Sequence, residues 1–136
     1  FFLRVAAMVP QLRARASVEP LTGGASRVTF TIENLGYLPT TGVKKSKSLP
    51  WNEPLHLDVG CEGPTLAEHA FAHRELGHLE GWGRGLGDPG QAIFYPRTPG
   101  SASSQTVRFV VHGEGRVNLR ASSPRTGTVS ITVEVG

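Results

Sequence analysis

A histidine-containing stretch in the middle of the chain, His73-Arg-Glu-Leu-Gly-His78, is the first candidate for chemistry by residue type. Zinc peptidases hold their metal with two histidines four residues apart on one helical face, and a glutamate directly follows the first. Here the histidines are five residues apart, because Arg74 stands between His73 and Glu75. That spacing puts the rings about 140° apart around a helix, or on opposite faces of a strand. We therefore interpret them as surface or loop-anchoring histidines.

A second group of reactive residues combines the single cysteine, Cys61, with His69 and His73, and with Glu68 or Glu75 as an orienting carboxylate. Such a set could bind a metal or activate a thiol nucleophile. A lone cysteine is more often a small apolar core residue, and no signature of a catalytic cysteine surrounds Cys61. We predict an inert thiol, and we assign this chain no catalytic, cofactor-binding or metal-binding residue.

Two loop features are candidates for ligand binding by their residue types. The run GWGRGLGDPG at 81–90 lacks the lysine and hydroxyl residue of a phosphate-binding loop, so it indicates an irregular loop instead. Trp51, Trp82 and Tyr95 stand in or beside loops, where sugar-binding proteins often display aromatic rings. We favour the interpretation that these rings fold back and cap the core. A carbohydrate-binding or cell-surface adhesion module is the alternative.

Alternation of apolar and polar residues predicts the elements that position these groups. It indicates strands near residues 11–18, 27–33, 55–59, 107–111, 117–121 and 129–135. A further strand is predicted at 72–79, whereas 65–71 fits either a short helix or a strand. Short glycine-containing links favour antiparallel hairpins, with one hairpin at the start and a three-strand meander at the end.

These strands predict an all-β fold, an antiparallel two-sheet sandwich of the immunoglobulin or fibronectin-III type with about seven strands. Residues 10–136 form this domain. In residues 1–9 the apolar side chains recur at helical spacing until Pro10, and the segment opens without a methionine. We expect it to be a helix end or linker that leaves an upstream domain.

Composition excludes several functional classes. The 136 residues include 38% hydrophobic and 18% charged residues, which suits one globular domain. The net charge of +3 is spread along the chain, so we predict no nucleic-acid partner. No apolar run reaches the ~18 residues that a membrane-spanning helix requires. One cysteine permits no disulfide within the chain, and the sequence leaves the compartment and the oligomeric state open.

Two segments, Glu33-Asn-Leu-Gly-Tyr-Leu-Pro-Thr40 and Glu75-Leu-Gly-His-Leu-Glu-Gly81, carry a resemblance to a known family. They resemble paired landmarks of a C-terminal domain on bacterial zinc carboxypeptidases of the M14 type, in the carboxypeptidase A clan. That pattern also has a basic stretch, here Lys44-Lys45, and a last strand opened here by Arg125-Thr-Gly-Thr128. The resemblance covers nearly the whole chain, although Leu35 stands where the pattern usually has threonine.

The resemblance implies a non-catalytic accessory domain whose partner is the catalytic domain upstream in the same chain. In that family a His-x-x-Glu motif and a later histidine hold zinc, and a glutamate acts as general base. No histidine of this chain has glutamate three residues later, so zinc and catalysis are expected in the upstream domain.

We expect the landmark residues to form a structural or interdomain site. Asn34 and Gly36 are both able to take positive φ and to end a strand. Tyr37 is expected to lie against the other sheet, while Leu38-Pro39 and the 79–81 corner approach each other. The residues assigned to this site are Asn34, Gly36, Tyr37, Pro39, Thr40, Lys44, Lys45, Leu79, Glu80 and Gly81.

Overall fold

Strands make up the sandwich in the part of the computed structural model that can be described. The structure describes residues 3, 9–41, 46, 48–67, 70–82 and 103–136. Within these residues there are eight strands: β1 (Leu12–Pro20), β2 (Ala25–Asn34), β3 (Leu55–Glu62), β4 (Thr65–Leu66), β5 (His73–Gly77), β6 (Ser104–His112), β7 (Gly115–Ser123) and β8 (Gly127–Val135). The predicted helix end at 1–9 lies outside them apart from Leu3 and Val9, which are both exposed.

The strands form two antiparallel four-stranded sheets, which confirms the predicted all-β sandwich. One sheet has the order β1-β2-β6-β4 and the other β5-β3-β7-β8. Each central pair joins strands far apart in sequence, β2 with β6 and β3 with β7, as in immunoglobulin-type sandwiches. The predicted strand at 72–79 is β5, and the ambiguous segment after Pro64 begins with the two-residue strand β4.

The core lies between the sheets and uses one face of each strand, as the alternation predicted. Phe30 and Leu57 are fully buried, whereas their chain neighbours point toward solvent. Each such side chain contributes roughly 1.5–3 kcal/mol through burial. The inward residues of the edge strand β1 are only half-buried because that strand has a neighbour on one side alone. Among the described residues, the fully buried aliphatic and aromatic side chains include Val28, Phe30, Ile32, Leu55, Leu57, Leu79, Val111, Val117, Leu119 and Ala121.

The prediction that the last three strands form a meander is wrong for the first pair, β6 and β7, and right for the second pair, β7 and β8. β7 and β8 form a hairpin, but β6 pairs with β2 while β7 pairs with β3 in the opposite sheet. The short link between β6 and β7 is anchored to both sheets. Gly113 N donates to Gly24 O at 3.0 Å, and Gly115 packs against the backbone of Glu62. The link therefore turns a corner between the sheets.

The sandwich has two distinct ends. We call one the turn end; it holds the turn at 21–24 and the corner at 113–114. We call the other the motif end; there β2 finishes at Asn34, β5 finishes at Gly77 and the turn at 124–126 joins β7 to β8. Among the described residues, no helix has the length and apolar character needed to cross a membrane.

Candidate functional site

The motif end is organised around the amide of Asn34, which is 4% exposed. Its Oδ1 accepts hydrogen bonds from Gln11 N at 3.0 Å and from Gly36 N at 2.9 Å. Its Nδ2 donates to Leu38 O at 2.8 Å. One side chain thus satisfies three backbone groups of the loop that leaves β2 and of the segment that enters β1. Such side-chain capping fixes irregular backbone that no ladder can pair.

Gly36 is required for close approach and not for an unusual backbone angle. Neither it nor Asn34 has positive φ, so the positive φ that both residue types permit is not used here. A Cβ at Gly36 would overlap Val9 O and would lie 2.7 Å from Gln11 N and 2.8 Å from Pro10 Cα. The loop therefore presses directly on the backbone that leads into β1.

The two landmark segments meet at Thr40 and Leu79, 39 residues apart in sequence. Thr40 N donates to Leu79 O at 2.9 Å, and Leu79 N donates to Thr40 Oγ1, also at 2.9 Å. Both residues are buried, with exposures of 2% each. The same hydroxyl lies 3.3 Å from His78 Nδ1. Thr40 thus joins the end of β5 to the loop after β2 with bonds that are shielded from water.

Gly81 completes the contact predicted between Leu38-Pro39 and the 79–81 corner. A Cβ on Gly81 would overlap Tyr37 O and would lie 2.6 Å from Leu38 C. Trp82 N then donates to Gly36 O at 3.1 Å. The Tyr37 ring packs edge to face against Trp82, with centroids 4.5 Å apart and planes at 85°. The Tyr37 ring therefore contacts Trp82, the residue that follows Gly81 in the loop after β5.

Arg125 ties this loop to the turn between β7 and β8. Its Nη1 donates to Thr41 O at 2.8 Å, and Ser46 Oγ donates to the same carbonyl oxygen. Asn52 Nδ2 donates to Ser46 O at 2.8 Å. Thr41, Ser46 and Asn52 are all buried polar residues. This buried polar cluster holds the loop before β3 against the second sheet.

The histidines take separate structural positions. His73 Nδ1 lies 2.5 Å from Asp58 Oδ1, and the His73 ring stacks on His56 with centroids 5.0 Å apart. His78 instead contacts Thr40 at the motif end. Within the part of the chain that the structure describes, no three histidine, cysteine or acidic side chains gather into a metal-binding group. His69 and Glu68 lie outside that part.

Cys61 is half-buried near the turn end of β3, opposite Val117, and packs against the core. Loss of solvation on burial raises the pKa of its thiol. A higher pKa lowers the thiolate fraction near neutral pH, and the thiolate is the nucleophilic form. The environment of Cys61 thus favours the inert thiol.

The interpretation that the loop aromatics cap the core is wrong for both tryptophans. Trp51 is 70% exposed and Trp82 is 62% exposed. At the motif end it is Leu79 that packs in the core cluster, whereas Trp82 lies on the surface. Tyr95 lies outside the described residues.

Most residues assigned to the site from the sequence come together, and others join them. Asn34 bonds Gly36, Thr40 bonds Leu79, and Gly81 lies against Tyr37, while Pro39 is half-buried in the same loop. Lys44 and Lys45 lie outside the described residues, as does most of the glycine-rich loop. Sequence reasoning missed Ser46 and Asn52, because buried polar residues in loops follow no period. Arg125 was noticed only as the start of a strand.

Comparisons with known proteins give a family and two distant structural likenesses. A family model described as a domain of unknown function, DUF8731, matches residues 13–134. No curated protein matches this sequence. The chain is similar to part of DesR, a β-glucosidase from Streptomyces venezuelae solved in complex with D-glucose, at 16% identity and a TM-score of 0.33. It is also similar to part of β-glucosidase 3B from Thermotoga neapolitana, solved with α-D-glucose, at 13% identity and a TM-score of 0.33.

Each likeness covers 93% of this chain but only 15% and 16%, respectively, of those two chains. At these TM-scores neither bears on function.

Proposed function

We propose that this chain, which belongs to the DUF8731 family, is a non-catalytic accessory sandwich of an M14-type zinc carboxypeptidase. In this proposal it docks on the catalytic domain upstream in the same chain and helps to position it. Zinc binding and peptide hydrolysis would belong to that upstream domain. The proposal rests on the resemblance of the segments 33–40 and 75–81 to the paired landmarks of such accessory domains.

The observation that carries the proposal is the direct contact between those two segments. Thr40 and Leu79 exchange two buried hydrogen bonds, and Gly81 lies against the backbone of Tyr37 and Leu38. Landmarks that recur together in a family are expected to form one local structure, and here they form the motif end. A fixed loop cluster suits docking because little conformational entropy is lost when a partner binds.

The position of the motif end also supports docking on a domain that precedes this one. Gly36 packs on the backbone of Val9, Pro10 and Gln11, where the chain enters β1. Leu35 N donates to Gln11 O at 2.8 Å and holds the same point. Val9, Pro10 and Gln11 therefore lie beside the landmark segments.

The decisive sequence test is the stretch upstream of Phe1 in the encoding gene. The proposal requires a His-x-x-Glu motif and a later histidine within a few hundred residues. An upstream region without them contradicts the carboxypeptidase assignment, whatever the domain binds.

The functional test uses the complete parent enzyme with Tyr37→Ala or Glu80→Ala. We expect an altered kcat/KM and a lower unfolding temperature. The fall in unfolding temperature should be larger in the parent than in the isolated 136-residue chain. Trp51→Ala is the matched control, because it removes an exposed ring from a different loop. Unchanged stability and unchanged kinetics in both variants would dispose of docking.

A carbohydrate-binding module is the second candidate, favoured by the exposure of Trp51 and Trp82. An exposed indole ring offers a flat apolar face together with an N–H donor, which suits a ligand that is apolar on one side and polar at its edge. Titration of the isolated chain with soluble polysaccharides would test this function. Saturable binding that Trp51→Ala and Trp82→Ala both weaken would support it, and the absence of binding would reject it.

A further inference from the structure

Four apolar residues at the motif end surround Gly36 and leave much of their surface in solvent. We call Val9, Leu35, Tyr37 and Trp82 the apolar ridge. Val9 is 49% exposed, Leu35 44% and Trp82 62%, while Tyr37 is half-buried against Trp82. They are neighbours in space because Gly36 lies against Val9 O and accepts a hydrogen bond from Trp82 N.

The ridge is held in place by backbone contacts that leave its side chains outward. Leu35 N donates to Gln11 O, Trp82 N donates to Gly36 O, and the Asn34 amide fixes the loop between them. The residues that contribute most at protein interfaces are enriched in tryptophan and tyrosine and are surrounded by residues that exclude water, and the ridge contains Tyr37 and Trp82. A contiguous exposed apolar patch on a polar surface is itself a mark of an interaction site.

Charge is sparse along the ridge. In the segments 9–12, 34–41 and 79–82, Glu80 is the one charged residue of the sequence. Arg13 and Glu33, the charged residues that directly flank two of these segments, pair with each other on the outer face of the first sheet. A partner that recognises the ridge would therefore present an apolar surface.

We infer that the apolar ridge is the docking surface for the upstream domain, and that docking is driven by apolar burial. The inference rests on the proposed function and names the chemistry of its contact. The upstream domain is the occupant because the ridge includes Val9 and flanks the point at which the chain enters β1. Docking through Lys44, Lys45 and Glu80 would instead be electrostatic.

The test compares variants of the complete parent protein by the rate at which protease cleaves the junction near Val9. Leu35→Ala combined with Trp82→Ala should accelerate cleavage more than about tenfold, as expected for the loss of central interface contacts. Leu35→Ala keeps the backbone hydrogen bond and removes the exposed apolar side chain. The matched control, Trp51→Ala, should leave the rate unchanged.

Salt and charge variants separate the two chemistries. Raising salt to about 1 M should leave the cleavage rate of the parent unchanged, because salt screens charge pairs and not apolar contacts. Faster cleavage in Lys44→Gln, Lys45→Gln and Glu80→Gln, with no effect of the ridge variant, would overturn the inference while docking itself would stand. Dimerisation of the isolated chain that the ridge variant abolishes would also overturn it. A parent without an upstream catalytic domain would instead defeat the proposed function.

Discussion

At the turn end of the sandwich the chain reverses within a few residues, whereas at the motif end it is held by contacts between distant segments. Gly23 and Gly24 take φ angles of 77° and 72°, and a Cβ on either would meet nothing within 4 Å. Gly36 and Gly81 have no positive φ, but a Cβ on either would overlap backbone atoms. The same residue type thus serves conformation at one end and close packing at the other.

The two ends differ in what fixes their backbone, which is local sequence at the turn end and tertiary contacts at the motif end. The turn at 21–24 depends on residues adjacent in sequence, so a substitution there changes mainly the local backbone energy. The motif end joins 34–41 to 79–82 and to Arg125, so a substitution there leaves buried groups of another segment without partners. The motif end should therefore be the more sensitive of the two to mutation.

The largest effect is expected for Asn34→Ala. It removes the partners of Gln11 N, Gly36 N and Leu38 O together; the bond to Gly36 is buried, the other two are partly buried, and an unsatisfied buried group costs about 1–3 kcal/mol. We expect a loss of about 4 kcal/mol in the free energy of unfolding, measured by urea denaturation. Asn118→Ala is the matched control, because its amide bonds exposed side chains and the expected cost is below about 1 kcal/mol. Equal losses would show that Asn34 does not organise this end.

Gly81→Ala compares the two ends directly. The added methyl group overlaps the backbone of Tyr37, and such overpacking costs about 3 kcal/mol. Gly24→Ala at the turn end meets no atom but forces alanine into positive φ, at about 1 kcal/mol. Urea denaturation of both variants checks the ranking, and a larger loss for Gly24→Ala would contradict it.

The contrast between the ends also explains what the sequence predicted. The strands and their buried faces followed from the alternation at residues such as Phe30 and Leu57, since a period of two exposes and buries successive side chains. The turn at Gly23-Gly24 followed from residue type. The corner between β6 and β7 could not be predicted in this way, because a short glycine-containing link is compatible both with a hairpin and with a change of sheet. What decided it was the anchoring of Gly113 and Gly115 by distant segments.

The motif end was predictable only in part. The resemblance singled out Thr40 and Gly81, and their segments do meet, but no periodic pattern identifies the bonds between them. Ser46 and Asn52 are buried polar residues that bond within a loop of mixed composition, where no periodic pattern marks burial. The exposure of Trp82 was wrongly predicted because aromatic residues are buried more often than not.

Thr40→Val tests the bond between the landmark segments with almost no change of shape. It leaves the buried Leu79 N without its acceptor, and we expect a loss of about 2 kcal/mol in the free energy of unfolding. Thr132→Val provides the control, since that hydroxyl bonds Asn118 on an exposed face. Hydrogen exchange at the Leu79 amide should be faster in Thr40→Val than in the unsubstituted chain, and Thr132→Val should leave it unchanged. A protected Leu79 amide would show that its bond to Thr40 contributes little.

Cys61 offers the smallest effect and a probe of the turn end alone, because it lies near the end of β3 opposite Val117. Burial raises the pKa of its thiol, so labelling of the folded chain by a thiol reagent should rise at higher pH than labelling in urea. In Gly81→Ala, which weakens the motif end, the native labelling profile should stay in place. If the labelling profile of Gly81→Ala without denaturant matched that of the unfolded chain in urea, the two ends would open together. The distinction between the two ends would then be lost.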